Sequence, residues 1–262
     1  MIKNITDLTK ENIASICDHT FLNRSEAYKV TAKKGENPIV LRKQAFENFL
    51  EETVNMKYSP YTVCVRPEDV GQTKEYLSNN KKENIKIASV VGFPDGNIYS
   101  TEFKVAETKL AIDAGADEVD FVLNYNRLKK GDEDYCGNEI YDIAGLAQNK
   151  HILTKMILET SELTNDEIIK ACELAEDYGA DFIKTSTGFS SAGAKPEHLK
   201  IMRNNFSEGI KMSGGVNLAN LNELLHAASG RKDGKIDLDP MEIRIGESSL
   251  LTKLALHQDT NF

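Results

Sequence analysis

Short apolar runs recur along this 262-residue chain at intervals of one strand plus one helix, and that rhythm narrows the folds open to it. Eight runs read as strands: 13–18, 61–65, 85–93, 118–124, 153–159, 181–187, 209–213 and 242–246. Several are apolar on both faces, as strands buried inside a parallel sheet are. Between them apolar residues fall at helical spacing, as in Leu41, Ala45, Phe49 and Val54, or Val105, Leu110 and Ala114. Ile168, Ala171, Cys172 and Ala175 mark a third such stretch, and Leu218, Leu221, Leu224 and Leu225 a fourth. Thr164-Asn-Asp-Glu167 has the form of a capping box. Pro196 sits where a first helical turn begins, and Gly115 and Gly179 where helices end. Each of those glycines is followed by Ala-Asp and then directly by a strand.

Eight strand–helix units in one undivided chain predict an α/β protein, a (β/α)8 TIM barrel with a short N-terminal helix, as a single domain over 1–262. The competing architecture is a doubly wound open sheet. That fold usually carries a Gly-rich first turn, and no GxGxxG occurs here. Polar stretches at 29–37, 129–138 and 231–239 read as surface insertions, and 257–262 as a mobile tail.

Composition excludes several classes. A net charge of −9 without a basic stripe argues against nucleic-acid binding. No run approaches the ~18 apolar residues of a membrane span, and residues 1–10 lack an apolar signal core. Cysteines 17, 64, 136 and 172 form no CxxC pair, which suits a reducing cytoplasm. Histidines 19, 151, 198, 226 and 257 show neither HxH nor HExxH spacing, so no metal is expected. No GxSxG elbow is present.

The informative anomaly is charge inside apolar strands. Asp120, Lys155, Lys184 and Lys211 stand in four successive predicted strands, at spacings of 35, 29 and 27 residues. Turned towards the surrounding helices, such groups would cost a large desolvation energy. Turned inwards near the carboxyl ends, they would meet where barrel active sites lie. A free lysine near pKa ~10.4 is under ~0.1% free amine at neutral pH, and a nearby ammonium or desolvation lowers that pKa. Clustered lysines in a dry barrel therefore suit Schiff-base chemistry on a carbonyl substrate, with Asp120 placed to move protons.

A second set of residues has the character of a phosphate cradle. Gly188 follows the sixth predicted strand, Gly214-Gly215 the seventh, and Gly246 with Ser248 and Ser249 the eighth. Amides in glycine turns bind phosphate without a basic side chain. Asp18 and Thr20 end the first predicted strand, where they can line the mouth, and Cys64 reads as a small core residue. From the residues alone, three alternatives remain open: a Schiff-base barrel aldolase of a ketose phosphate or keto acid, a non-catalytic phosphosugar-binding barrel, and a metal-dependent barrel lyase.

Over about 16–254 the chain resembles the deoxyribose-phosphate aldolase family, Schiff-base aldolases on a (β/α)8 barrel. The most specific string is Gly179-Ala-Asp-Phe-Ile-Lys-Thr-Ser-Thr-Gly188. Cys17-Asp-His-Thr20, Glu118-Val-Asp120, Lys155-Met-Ile-Leu-Glu-Thr160, Lys211-Met-Ser-Gly-Gly-Val216 and Arg244-Ile-Gly-Glu-Ser-Ser249 support it, as does Val91-Gly-Phe-Pro94. The resemblance implies reversible cleavage of 2-deoxy-D-ribose 5-phosphate to acetaldehyde and D-glyceraldehyde 3-phosphate, without a cofactor. It implies Lys184 as the Schiff-base lysine, Lys211 as the lysine that tunes it and Asp120 as the acid/base group. Asp18, Thr20, Cys64, Lys155, Thr185 and Thr187 match pocket positions. Gly188, Gly214, Gly215, Ser248 and Ser249 match the phosphate cradle, and Gly246 joins them. Partners are then small molecules, and a homodimer is one oligomeric state to test. Two departures stand out: Phe189 where some members have lysine, and Met212-Ser213 where some have Pro-Ala.

Overall fold

In the computed structural model, which describes residues 1–256, eight parallel strands close into a barrel. The strands in chain order are β1 (Ile2–Asn4), β2 (Cys17–Thr20), β3 (Thr62–Val65), β4 (Lys86–Val91), β5 (Glu118–Val122), β6 (Leu153–Ile157), β7 (Phe182–Lys184), β8 (Gly209–Ser213), β9 (Lys235–Asp237) and β10 (Ile243–Glu247). The barrel order is β10-β2-β3-β4-β5-β6-β7-β8, and β1 pairs antiparallel with β9 outside it. The helices are α1 (Lys10–Ala14), α2 (Pro38–Asn55), α3 (Val70–Asn79), α4 (Thr101–Ala114), α5 (Tyr125–Lys129), α6 (Glu133–Gln148), α7 (Asn165–Asp177), α8 (Pro196–Asn205), α9 (Leu221–Ser229) and α10 (Leu250–Leu256). The tail expected at 257–262 lies outside the described residues.

Local chemistry explains the boundaries. Thr164 and Glu167 make the reciprocal capping box of α7, and Pro196 takes the first position of α8. At the end of α4, Gly115 adopts φ 103°, open to glycine without the Cβ penalty. The repeated Gly-Ala-Asp phrase has a common purpose. Asp117 accepts from the Ile87 N–H (2.9 Å) and Asp181 from the Thr154 N–H (2.8 Å), so each aspartate anchors the start of the preceding strand.

Four expectations change in detail. Residues 10–14 are helix, because Thr9 and Asn12 form a capping box there, and the first barrel strand begins only at Cys17. Residues 231–239 contain β9, whose pairing with β1 no local pattern announces. Residues 129–138 run into α6, with Cys136 and Gly137 buried. On α4, Leu110 faces solvent while Lys104, Thr108 and Ala111 are buried. Lys104 can be buried there because its ammonium bonds Glu139 (2.8 Å) and the Val122 carbonyl (2.7 Å).

Two kinds of residue fill the space around the strands. One large apolar cluster, including Val119, Phe121, Met156, Ile183, Ile210 and Ile245, lies between strands and helices. Inside the barrel, Cys64, Ala88, Val90, Val122 and Ile157 make a smaller apolar cluster. Much of the remaining interior is charged, with Asp18, Glu118, Asp120, Lys155, Lys211 and Arg244 all buried.

Candidate active site

Strand register brings the charges together. Lys184 is the Cα partner of Lys211, Lys211 of Arg244, and Asp120 of Lys155. Alternation then turns these residues to one face of the sheet, which is the barrel interior. The inward side chains fall into tiers drawn from alternate strands. In the lowest, Arg244 bonds Thr62 (2.9 Å) and Glu118 (2.8 Å) and lies 5.7 Å from the Phe182 ring. It also reaches up to Asp18 (2.8 Å). In the middle tier Lys155 bonds Glu118 (2.5 Å) and Asp120 (2.9 Å). Lys211 Nζ lies 2.5 Å from Asp18 Oδ2, close as a charge pair though not aligned as a hydrogen bond. In the upper tier Asp120 Oδ2 accepts from Lys184 (2.9 Å) and Lys211 (2.8 Å). The Cys64 thiol stands 4.0 Å from the same oxygen.

Four cations thus face three carboxylates in a water-poor interior. Burial alone would raise the Asp120 pKa, but Lys155, Lys184 and Lys211 outweigh it and hold the carboxyl well below its usual range. Burial likewise opposes ionisation of Asp18, yet Lys211 and Arg244 bring its pKa down to about 2. For Lys211 burial disfavours the charge, and Asp120 and Asp18 reverse this, keeping it an ammonium. Burial pushes the Cys64 thiol up, so it stays protonated.

Above this network opens a cavity of about 350 Å³. It is lined from the carboxyl ends of β2, β7, β8 and β10 and the turns after them, as barrel active sites are. Of the three lysines only Lys184 lines it. Lys184 is 3% exposed, whereas Lys155 and Lys211 are 0% exposed and lie beneath the floor with Asp18, Cys64 and Asp120. Register therefore singles out one amine with access and surrounds it from below with fixed charge.

The other expected residues divide. Thr20, Thr187, Gly188, Gly214, Gly215, Gly246 and Ser248 line the cavity, while Thr185 and Ser249 are not among its lining residues. The Thr185 hydroxyl points to the neighbouring strand, donating to the Ser213 carbonyl (3.1 Å) and accepting from its N–H (3.0 Å). Thr187 is held by Glu159, which accepts from its hydroxyl (2.5 Å) and N–H (3.2 Å). Gly188, Gly214 and Gly215 have φ of 83°, 82° and 73°, so their turns depend on glycine. Gly246 serves packing as well, since a Cβ there would come within 2.8 Å of Lys211 Cε.

Sequence reasoning gave no role to Glu118, Arg244, Glu159 and Glu247. The first two carry the signal that exposed the lysines, a charge in a buried strand, and Glu118 shares a face with Asp120 two residues on. Glu159 is buried with φ 56°, a conformation no sequence pattern marks.

Comparison with known proteins shows the family and the fold. Residues 13–252 match the family model described as DeoC/LacD family aldolase. A Clostridium perfringens (strain 13 / Type A) deoxyribose-phosphate aldolase is 42% identical over 211 residues, 80% of this chain and 84% of its own. The Thermococcus gammatolerans deoxyribose-phosphate aldolase is 47% identical over 163 residues, 62% of this chain and 72% of its own. A solved structure from Coccidioides immitis superposes with TM-score 0.73 at 30% identity, covering 97% of this chain and 90% of that one. The tetrameric deoxyribose phosphate aldolase of Aeropyrum pernix gives TM-score 0.72 over 95% and 92% of the two chains. At 23% identity it shows shared fold alone.

Proposed function

Because the chain belongs to the DeoC/LacD family of aldolases, we propose that it cleaves 2-deoxy-D-ribose 5-phosphate reversibly to acetaldehyde and D-glyceraldehyde 3-phosphate through a Schiff base on Lys184. The observation that carries the assignment of Lys184 is its place as the lysine lining the cavity, 2.9 Å from an ionised buried carboxylate.

The steps follow from the geometry. The free amine of Lys184 attacks the open-chain aldehyde at C1, and loss of water gives an iminium. Asp120, directly or through a water, takes the proton of the C3 hydroxyl. Those oxygen electrons form the new carbonyl, and the electrons of the adjacent carbon–carbon bond pass to the iminium, leaving an enamine. Acetaldehyde takes C1 and C2 of the sugar, so the bond broken is C2–C3. Glyceraldehyde 3-phosphate departs, the enamine is protonated at C2, and water hydrolyses the iminium to acetaldehyde and the free amine.

Lys211 contributes a permanent positive charge beside the reacting nitrogen. That charge helps hold Asp120, which both lysines contact, in its ionised form. Once Lys184 is bound as an imine, Asp120 is left with Lys211 and Lys155, which keep it placed under the substrate. Phosphate is assigned to the amides of the turns at Gly188, Gly214 and Gly215 and to Ser248 at the cavity rim. These steps draw on the chain's own amine and carboxylate and call on no cofactor.

A cytoplasmic location is supported by four cysteines that are all buried and unpaired. Among the described residues no helix is long and apolar enough to cross a membrane. A homodimer is supported by the exposed apolar side chains of Phe103 and Leu110, which line one groove on α4, and light scattering of the purified chain tests it.

Product analysis tests the reaction. Incubation with 2-deoxyribose 5-phosphate should release acetaldehyde and glyceraldehyde 3-phosphate in equal amounts, and Lys184→Leu should abolish this. Cleavage of a ketose phosphate or keto acid instead would redirect the assignment to another substrate.

A further inference from the structure

The last residue of β10, Glu247, stands at the rim where the phosphate is assigned. Its Oε1 accepts from the Ser248 N–H (2.9 Å) and the Ser248 hydroxyl (3.1 Å). Those are two of the donors the phosphate would use. Among the described residues, the ionisable side chains lining the cavity are Lys184 and Glu247, and Lys184 is the proposed nucleophile. Among the described residues no second cation lines the cavity to balance a phosphate dianion. Phe189 occupies the turn after Gly188, half exposed and packed edge-on against Phe93 at 5.3 Å, and brings no charge.

We propose that Glu247 is a specificity-determining residue that works against the phosphate, so that this site discriminates less between phosphorylated and unphosphorylated 2-deoxy sugars than its glycine turns alone would. A phosphate arriving at Ser248 must displace the carboxylate or lie beside it, and like charges brought together in a partly dehydrated site cost binding energy. An unphosphorylated 2-deoxyribose meets no such repulsion, and it still presents the aldehyde to Lys184. The inference rests on the deoxyribose-phosphate reading above.

The test is steady-state kinetics of the full chain and of its Glu247→Gln and Glu247→Ala variants. The substrates are 2-deoxyribose 5-phosphate and 2-deoxyribose, with inorganic phosphate as a competing inhibitor. Gln removes the charge and keeps an acceptor for Ser248, whereas Ala frees the donors as well. The ratio of kcat/KM for the phosphorylated over the unphosphorylated sugar should rise about tenfold in the Ala variant, with Gln intermediate. The gain should appear in KM, and phosphate should inhibit at lower concentration. An unchanged ratio, or a higher KM for the phosphorylated sugar in both variants, would overturn the proposal. The second result would mean that Glu247 orders Ser248 for the phosphate. Failure of the unaltered chain to cleave either sugar would remove the parent reading and this one with it. Cleavage with an unmoved ratio would remove this one alone.

Discussion

Lys184 and Lys211 are neighbours across two strands, and both donate a hydrogen bond to one oxygen, Asp120 Oδ2, at 2.9 and 2.8 Å. One carboxylate therefore holds the amine that opens to the cavity and the ammonium buried beneath it. This arrangement separates the roles of two chemically identical side chains. Lys211 has Asp18 as a second counter-charge and no access to the cavity. Lys184 has access and shares its carboxylate.

Removing the shared carboxylate should damage both chemistry and fold. In Asp120→Asn, kcat should fall by ~10²–10⁴-fold, the usual worth of a positioned acid/base. Rates should be normalised to the folded fraction, because three lysines lose a counter-charge together. A loss of only a few-fold per folded molecule would show that another group moves the proton.

Arg244 makes a stability prediction separable from catalysis. It binds Glu118 in the lowest tier and Asp18 above it, and it is not among the residues that line the cavity. Arg244→Met should lower the unfolding free energy by ~3–5 kcal/mol, as expected when one member of a buried ionic network is removed. Urea denaturation reads this directly, and a change under ~1 kcal/mol would mean that the lysines alone satisfy those carboxylates.

His19 gives a pH signature of its own. It stacks on Phe49 at 4.6 Å with neither ring nitrogen hydrogen-bonded, and burial lowers its pKa from 6.5 to about 4. Between pH 6.5 and about 4 the unfolded chain binds a proton that the folded chain refuses, so stability is present above that window and is lost as pH falls through it. Asp18 acts lower, between 3.8 and about 2, because its folded pKa is depressed. The His19 contribution is roughly 3 kcal/mol over its window. His19→Phe should remove that part of the pH dependence, read as urea unfolding at pH 7 and pH 4.5. Equal slopes in the two proteins would show that His19 protonates freely in the folded state.

The barrel was legible in the sequence because buried parallel strands and helical periods repeat without interruption, and β5 and β6 start where the apolar pattern starts. The site was legible for a related reason, since a lysine in a strand with two buried faces has nowhere to go but the interior. What the pattern hid depends on partners far apart in the chain. Lys104 looks like a surface residue until Glu139 stands opposite it, and Leu110 then turns outwards. Thr185 adjoins Lys184 in sequence, yet its hydroxyl points to Ser213 and away from the cavity. Arg244 and Glu118 carried a readable signal, but their pairing follows from register across barrel closure, which local spacing does not encode.

Borohydride trapping with acetaldehyde, followed by peptide mass mapping, tests the central claim most directly. The iminium formed with acetaldehyde is reduced to a stable ethyl amine on whichever lysine is the nucleophile. The account predicts one ethyl group, carried by Lys184, with Lys155 and Lys211 unlabelled beneath the cavity floor. No adduct, or an adduct on either of those two lysines, would contradict it.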